Sequence, residues 1–227
     1  MRFRTTAIVV IVFALAMAYL ESAVVVYLQR ALSITPDSLF PLRGPDVVGD
    51  LAWIEVGREV ATLVMLTAVG CLVGRRGIDR LGWTAVAFGV WDFFYYVWLW
   101  VFIGWPHSAG SWDVLFLLPV PWAGPVWAPM AVDVALVIGG LAAGWQVIAG
   151  RDPRVTLLTG AGAIGGGAVV IGSFMANAPA LLNGELPGWF PWPVFLVGMG
   201  LASWAAVASL RGRPEARPAD HRQVVTE

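Results

Sequence analysis

This 227-residue sequence is short of charge. Only 13% of its residues are charged, against roughly a quarter in an ordinary soluble domain, so a water-solvated globular surface is excluded. There is no lysine, and all fourteen basic residues are arginine. A formal net charge of −1, with no basic run interleaved with aromatics, excludes nucleic acid as a partner. Cys71 is the single cysteine, which rules out an intrachain disulfide and a cysteine-based metal cluster. The two histidines, His107 and His221, are too few for a His-rich iron or zinc centre.

What the chain does have is apolar surface: 59% hydrophobic residues, thirteen tryptophans and a mean hydropathy of +0.76. A hydrocarbon core of ~30 Å takes about 20 apolar residues per helix, and six segments qualify: 6–28, 49–74, 82–105, 126–149, 155–177 and 191–210. The expected fold is therefore all-α, a polytopic membrane protein whose six transmembrane helices form one domain over residues 1–210, with the lipid bilayer as its first partner. The first segment follows "MRFR" but is longer than the apolar region of a signal peptide and contains Glu21, so it reads as a retained helix. Residues 211–227, "RGRPEARPADHRQVVTE", are polar and proline-containing, and read as a disordered cytoplasmic tail.

The arginines set the orientation. Eleven of them (2, 4, 75, 76, 80, 151, 154, 211, 213, 217 and 222) fall on one side of the predicted helices, whereas only Arg30 and Arg43 fall in the opposite loops. By the positive-inside rule both termini are cytoplasmic, in a multi-pass protein of the cell inner membrane. An even number of spans requires the termini to share a side, so the two arguments agree.

The outer loops carry the prolines and much of the tryptophan. Residues 104–130 hold five prolines and four tryptophans, and 186–195 add three and two more. Residues 113–123 are too short to span a bilayer, so they are expected to form an interfacial or re-entrant segment that lids or walls a cavity at the mouth of the bundle.

Against this background the charges inside the predicted helices stand out. "WIEVGREVATLVML" (53–66) places Glu55, Arg58 and Glu59 at spacings of three and four, so all three share one helix face. That face cannot point at lipid, where a charge costs from ~3 to well above 10 kcal/mol. At 1.5 Å per residue, Glu21, Glu55, Glu59 and Asp133 lie in the outer half of the membrane and Asp92 near its middle. Tyr95 and Tyr96 follow Asp92 at plus three and plus four, within reach of its carboxylate. One arginine cannot neutralise five acids. The rest must be protonated, bound to a cation or open to water, and each of those outcomes points to a functional site.

Three functional readings follow, beside a plain one in which Arg58 only fixes helix register through a buried salt-bridge network. The first is a membrane-embedded enzyme entered from the outer side or from the bilayer. Its site would be centred on Glu21, Glu55, Arg58, Glu59, Asp92 and Asp133: Arg58 would hold an anionic group or one carboxylate, Glu55 and Glu59 would be the acid/base or metal-binding pair, and Asp92 with Tyr95 or Tyr96 would orient them. Glu21, Glu55, Glu59 and His107 are weak metal candidates within that reading, His107 being above all an ordinary loop residue. The second is a proton- or cation-coupled transporter, which would be expected to dimerise at this size. It has to explain why no ionisable group continues through the inner half. The third is a non-catalytic subunit that meets a membrane-complex partner through its aromatic rim. The residues name no substrate and no cofactor.

Two motifs are set aside. "TGAGAIGGG" matches the glycine spacing of dinucleotide-binding folds, but no strand precedes it, and small residues at 160, 162, 165, 166, 167, 168 and 172 instead let a neighbouring helix come close. Asn177, at the outer end of that helix, is expected to reach the polar cluster. Ser22 has no matching base, so no serine chemistry is assigned to it.

Overall fold

The computed structural model describes residues 3–31, 45–151, 153–183, 185 and 187–211, with the backbone alone for 45–52. Seven helices and one hairpin follow in order: α1 (Phe3–Ala31), α2 (Pro45–Val73), α3 (Gly77–Ile103), β1 (Trp112–Phe116), β2 (Trp122–Pro125), α4 (Trp127–Ile148), α5 (Leu157–Met175), the short α6 (Ala178–Leu182) and α7 (Trp192–Leu210). Among the described residues, six helices are long and apolar enough to cross a membrane. The tail beyond 211, Arg43 and His221 lie outside the described residues.

Large apolar side chains cover the outside: Leu157 is 92% exposed, Leu72 84% and Ile164 77%. Such a surface would aggregate in water and is what a helix presents to lipid. The chain is an all-α, multi-pass membrane bundle. Exposed tryptophans gather near the helix ends, with Trp53 and Trp100 at one end of the bundle and Trp145 and Trp204 toward the other, as in interfacial belts.

Lipid tails are as apolar as leucine, so helix association inside a membrane rests on close packing rather than on the hydrophobic effect. The helix α3 is the hub and packs on α1, α2 and α4, while α5 pairs with α7, and this pair joins the rest through α7 on α4 and α5 on β2. The α3–α4 contact is a backbone approach: a Cβ on Gly82 would lie 3.1 Å from the Gly140 carbonyl oxygen, and one on Gly140 would collide with the Gly82 carbonyl. The glycine-rich stretch of α5 does the same against α7. A Cβ on Gly166 would lie 2.5 Å from the Ala202 amide nitrogen, and one on Gly198 2.9 Å from the Gly166 carbonyl oxygen. Gly167 and Gly172 turn away from any neighbour.

The alternating path separates two ends. The links 74–76 and 149–156 and residue 211 share an arginine-bearing end; the hairpin and the loop before α7 share the other. At the arginine end α3 begins earlier than expected and takes in Asp79 in its first turn, a buried acid whose carboxylate accepts the Arg75 amide N–H of the α2–α3 link at 2.8 Å. The inner half therefore does hold one acid, spent on fixing that link. At the hairpin end, Gly104 closes α3 at φ 69°, its N–H bonding the Trp100 carbonyl at 2.9 Å.

Residues 112–125 form an antiparallel hairpin whose register pairs Trp112 with Pro125, Asp113 with Gly124, Val114 with Ala123 and Phe116 with Trp122, shifting between Val114 and Phe116. It is the only β structure among the described residues. Gly124 lets β2 lie flat on α5, since a Cβ there would sit 2.8 Å from the Phe174 ring.

Candidate functional site

Three helices and the hairpin bring their acids to one cavity of about 80 Å³ at the hairpin end. Glu21 enters from α1, Glu55, Arg58 and Glu59 from α2, Asp92 and Tyr95 from α3, and Asp113 from β1. The volume holds a few water molecules. The helix α1 is set in place beside it by Ser22, whose hydroxyl donates to the Ala18 and Tyr95 carbonyls at 2.8 and 3.0 Å; Ser22 is thus a packing residue.

Arg58 is engaged by two protein carboxylates. Its Nε lies 3.0 Å from Glu55 Oε1, its Nη2 meets the same oxygen, and its Nη1 forms an ion pair with Glu21 Oε1. Glu21 Oε2 accepts the Trp91 indole N–H at 3.2 Å and the Thr62 hydroxyl at 3.4 Å. One arginine thus clamps α1 to α2, and one carboxylate reaches on to α3. Arg58 spends its charge inside the protein rather than on a substrate anion.

Glu59 is 5% exposed and does something different. Both its carboxylate oxygens accept the Leu117 amide N–H, each at 3.0 Å. That amide lies just past the end of β1, beyond its last cross-strand pair, Phe116 with Trp122. Glu59 supplies its acceptor and ties the hairpin to α2.

Asp92 and Asp133 meet between α3 and α4, carboxyl against carboxyl. Asp133 is 1% exposed, and neither of its oxygens accepts a hydrogen bond from an N–H or an alcohol O–H. Two carboxyl groups in this position attract only through a proton held between them. Asp92 lines the polar cavity on one side and a second, apolar cavity of about 350 Å³ on the other; Asp133 lines only the second.

Asp113, the first residue of the expected lid segment, was not among the acids expected at the site. Its carboxyl faces the polar cavity, accepts its neighbour Val114 N–H at 2.9 Å and is approached by the Tyr96 hydroxyl. Burial pushes it up to about 7, against the opposing pull of those two donors. The signal in the sequence was an aspartate set within the apolar run "WDVLFLL", where a carboxylate has no easy access to water.

Of the residues expected at the site, Glu21, Glu55, Arg58, Glu59, Asp92 and Tyr95 line the polar cavity, and Asp133 stands behind Asp92. Tyr96 is 2% exposed, packs near Trp105 and turns its hydroxyl toward Asp113 rather than lining the cavity. His107 is exposed on the loop after α3 and off the cavity wall. The metal set drawn from Glu21, Glu55, Glu59 and His107 is not assembled, because Arg58 engages the first two and Leu117 the third. Among the described residues, no three His, Cys, Asp or Glu side chains are grouped so as to hold a metal ion. Asn177 also goes elsewhere, its Nδ2 donating to the Trp189 carbonyl at 2.9 Å to fix the loop before α7.

Comparison of the chain with protein-family models, with curated proteins and with solved structures finds no match.

Proposed function

We propose that this protein is a membrane-embedded enzyme of the acid/base type, working at the hairpin end of the bundle on a molecule that arrives from the bilayer. The observation that carries the reading is the division of labour among the acids. Five carboxyl groups and one arginine line the polar cavity, and Arg58 is consumed by Glu21 and Glu55. Glu59 is tied to the hairpin by the Leu117 amide. Asp92 and Asp113 remain, the first joined to Asp133 and the second raised to about 7, where a carboxyl can both accept and return a proton at neutral pH.

In this reading Asp113 and Asp92 exchange protons with the substrate, Asp133 holds the proton of Asp92 in reserve, and Arg58 and Glu59 are positioning residues. The arginine excess at the opposite end supports an inner-membrane orientation with cytoplasmic termini and a non-cytoplasmic cavity. A proton relay across the membrane is less well supported. Below Asp92 the bundle centre is filled by Val10, Ala14, Leu66, Trp83, Val86 and Ala87, all 1% exposed or less, and the deeper acid Asp79 is tied to the Arg75 amide of the α2–α3 link.

The test compares purified wild-type and Asp92→Asn protein in nanodiscs made from a total bacterial lipid extract, with products followed by mass spectrometry. A product formed by the wild type and reduced at least ~100-fold by Asp92→Asn is expected, in the usual range for loss of a general acid or base. Unchanged lipids, together with dissipation of a proton gradient in sealed vesicles, would replace the enzyme reading with the transporter one.

A further inference from the structure

The apolar cavity beside the acids raises a question that the polar one does not answer. It opens where α2 and α5 face each other across the bundle without packing extensively together, with the hairpin as a roof. Leu63 and Phe88 line one side, Val170 and Phe174 the other, and Phe116 and Trp122 close the top. Its volume of about 350 Å³ falls within the range of ligand sites, about 300–1,000 Å³.

Its polar groups all carry the same sign. Glu59, Asp92 and Asp133 are the ionisable residues on its wall, and no arginine joins them. Asp133 is buried with both oxygens free of any N–H or alcohol donor. A carboxyl group offers about four lone-pair sites. A proton shared with Asp92 fills one, leaving acceptors that face an apolar space too large to be left unfilled without loss of packing. A ligand that completes this wall must bring a long apolar body and a hydrogen-bond donor at its end. An anionic head would meet three acids and no cation, because Arg58 is held on the far side by Glu21 and Glu55.

We infer that this cavity is the binding site for a single-chain amphiphile whose head is a hydrogen-bond donor without negative charge, an amine or an alcohol, seated against Asp133 and Asp92. The inference names the substrate class for the acid/base reading above and rests on it for the chemistry, though not for the binding. Gly167 provides a way to test the space alone. It lines the cavity, and a Cβ there would meet nothing within 4 Å, so a larger side chain enters the void rather than a neighbouring helix.

Native mass spectrometry of the purified full chain, released from micelles with decylamine, 1-decanol or decanoate, reads the binding. Saturable one-to-one adducts with decylamine or decanol are expected; the amine alone would identify a cationic head, and both together a donor of either charge state. Gly167→Phe should weaken the adduct at least about tenfold, and Asp133→Asn should weaken the amine adduct by a similar factor. Equal binding of decanoate, no saturable adduct with any probe, or a Gly167→Phe protein that binds like the wild type would overturn the inference. Because binding is read without turnover, its loss alongside an intact Asp92-dependent product would sink this site and leave the enzyme reading standing.

Discussion

The two halves of the bundle are held together by different physics. In the arginine half the helices meet through glycines, with the backbones of Gly82 and Gly140 in contact and aliphatic side chains filling the centre around the indole of Trp83. In the hairpin half α3 and α4 stay close at Gly89 and Asp133, and what is added there is a set of charged and polar contacts: Arg58 from α2 to α1, Glu21 from α1 to α3, Glu59 from α2 to the hairpin. Close packing leaves no room for a ligand, whereas long polar side chains bridge gaps and leave cavities between them. The two cavities described above lie in the half built the second way, and Asp92 stands on the wall of both.

If this division holds, damage to one half should be felt mainly there. The largest effect is expected from Arg58→Met, which strands two half-desolvated glutamates. Removing one partner of a buried pair costs about 3–5 kcal/mol, and the 26% residual exposure of the Arg58 side chain places the expectation near the low end, at about 3 kcal/mol. Unfolding in mixed micelles measures it. Adding Glu21→Gln and Glu55→Gln to the same chain should recover most of the loss; if it does not, Arg58 matters through packing and the polar half is not held by charge.

A smaller effect, about 2 kcal/mol, is expected from Gly140→Val, which forces the α3 and α4 backbones apart. Hydrogen exchange should rise along the α3–α4 contact, while the Leu117 amide, protected by Glu59, stays as slow as in the wild type. Equal loss of protection at Leu117 would mean that the halves unfold as one unit and that the comparison has no energetic content.

The smallest effect concerns pH. Asp113 binds its proton more tightly in the folded protein, at about 7, than at its ordinary 3.8. Its contribution to stability is therefore full below about pH 4 and is lost as the pH rises toward 7. Asp113→Asn should flatten that part of the stability profile, and a mutant with the wild-type slope between pH 4 and 7 would place the titration elsewhere.

The six spans were legible because each required only its own composition: about twenty apolar residues bounded by arginine, proline or glycine identify a helix whatever lies beside it. The shared face of Glu55, Arg58 and Glu59 was legible for a similar reason, as helical periodicity alone puts residues three and four apart on one side. The convergence of Glu21 and Asp92 on that face was an expectation drawn from the cost of a charge in lipid, which excludes the outside of the bundle without choosing a partner inside.

Tertiary structure alone decided how the acids are used. Helical spacing lets Glu55 meet Arg58 three residues on and keeps the adjacent Glu59 from it, but nothing local shows that Glu59 holds a backbone amide of a hairpin nearly sixty positions away. Asp113 looked like a loop residue until the hairpin folded it against the bundle, and His107, in the same loop, was left outside. Sequence by itself determined which segments enter the membrane, because the bilayer acts on each segment separately. Which carboxyl group stays available for chemistry depends on donors contributed by distant parts of the chain, and only packing brings those together.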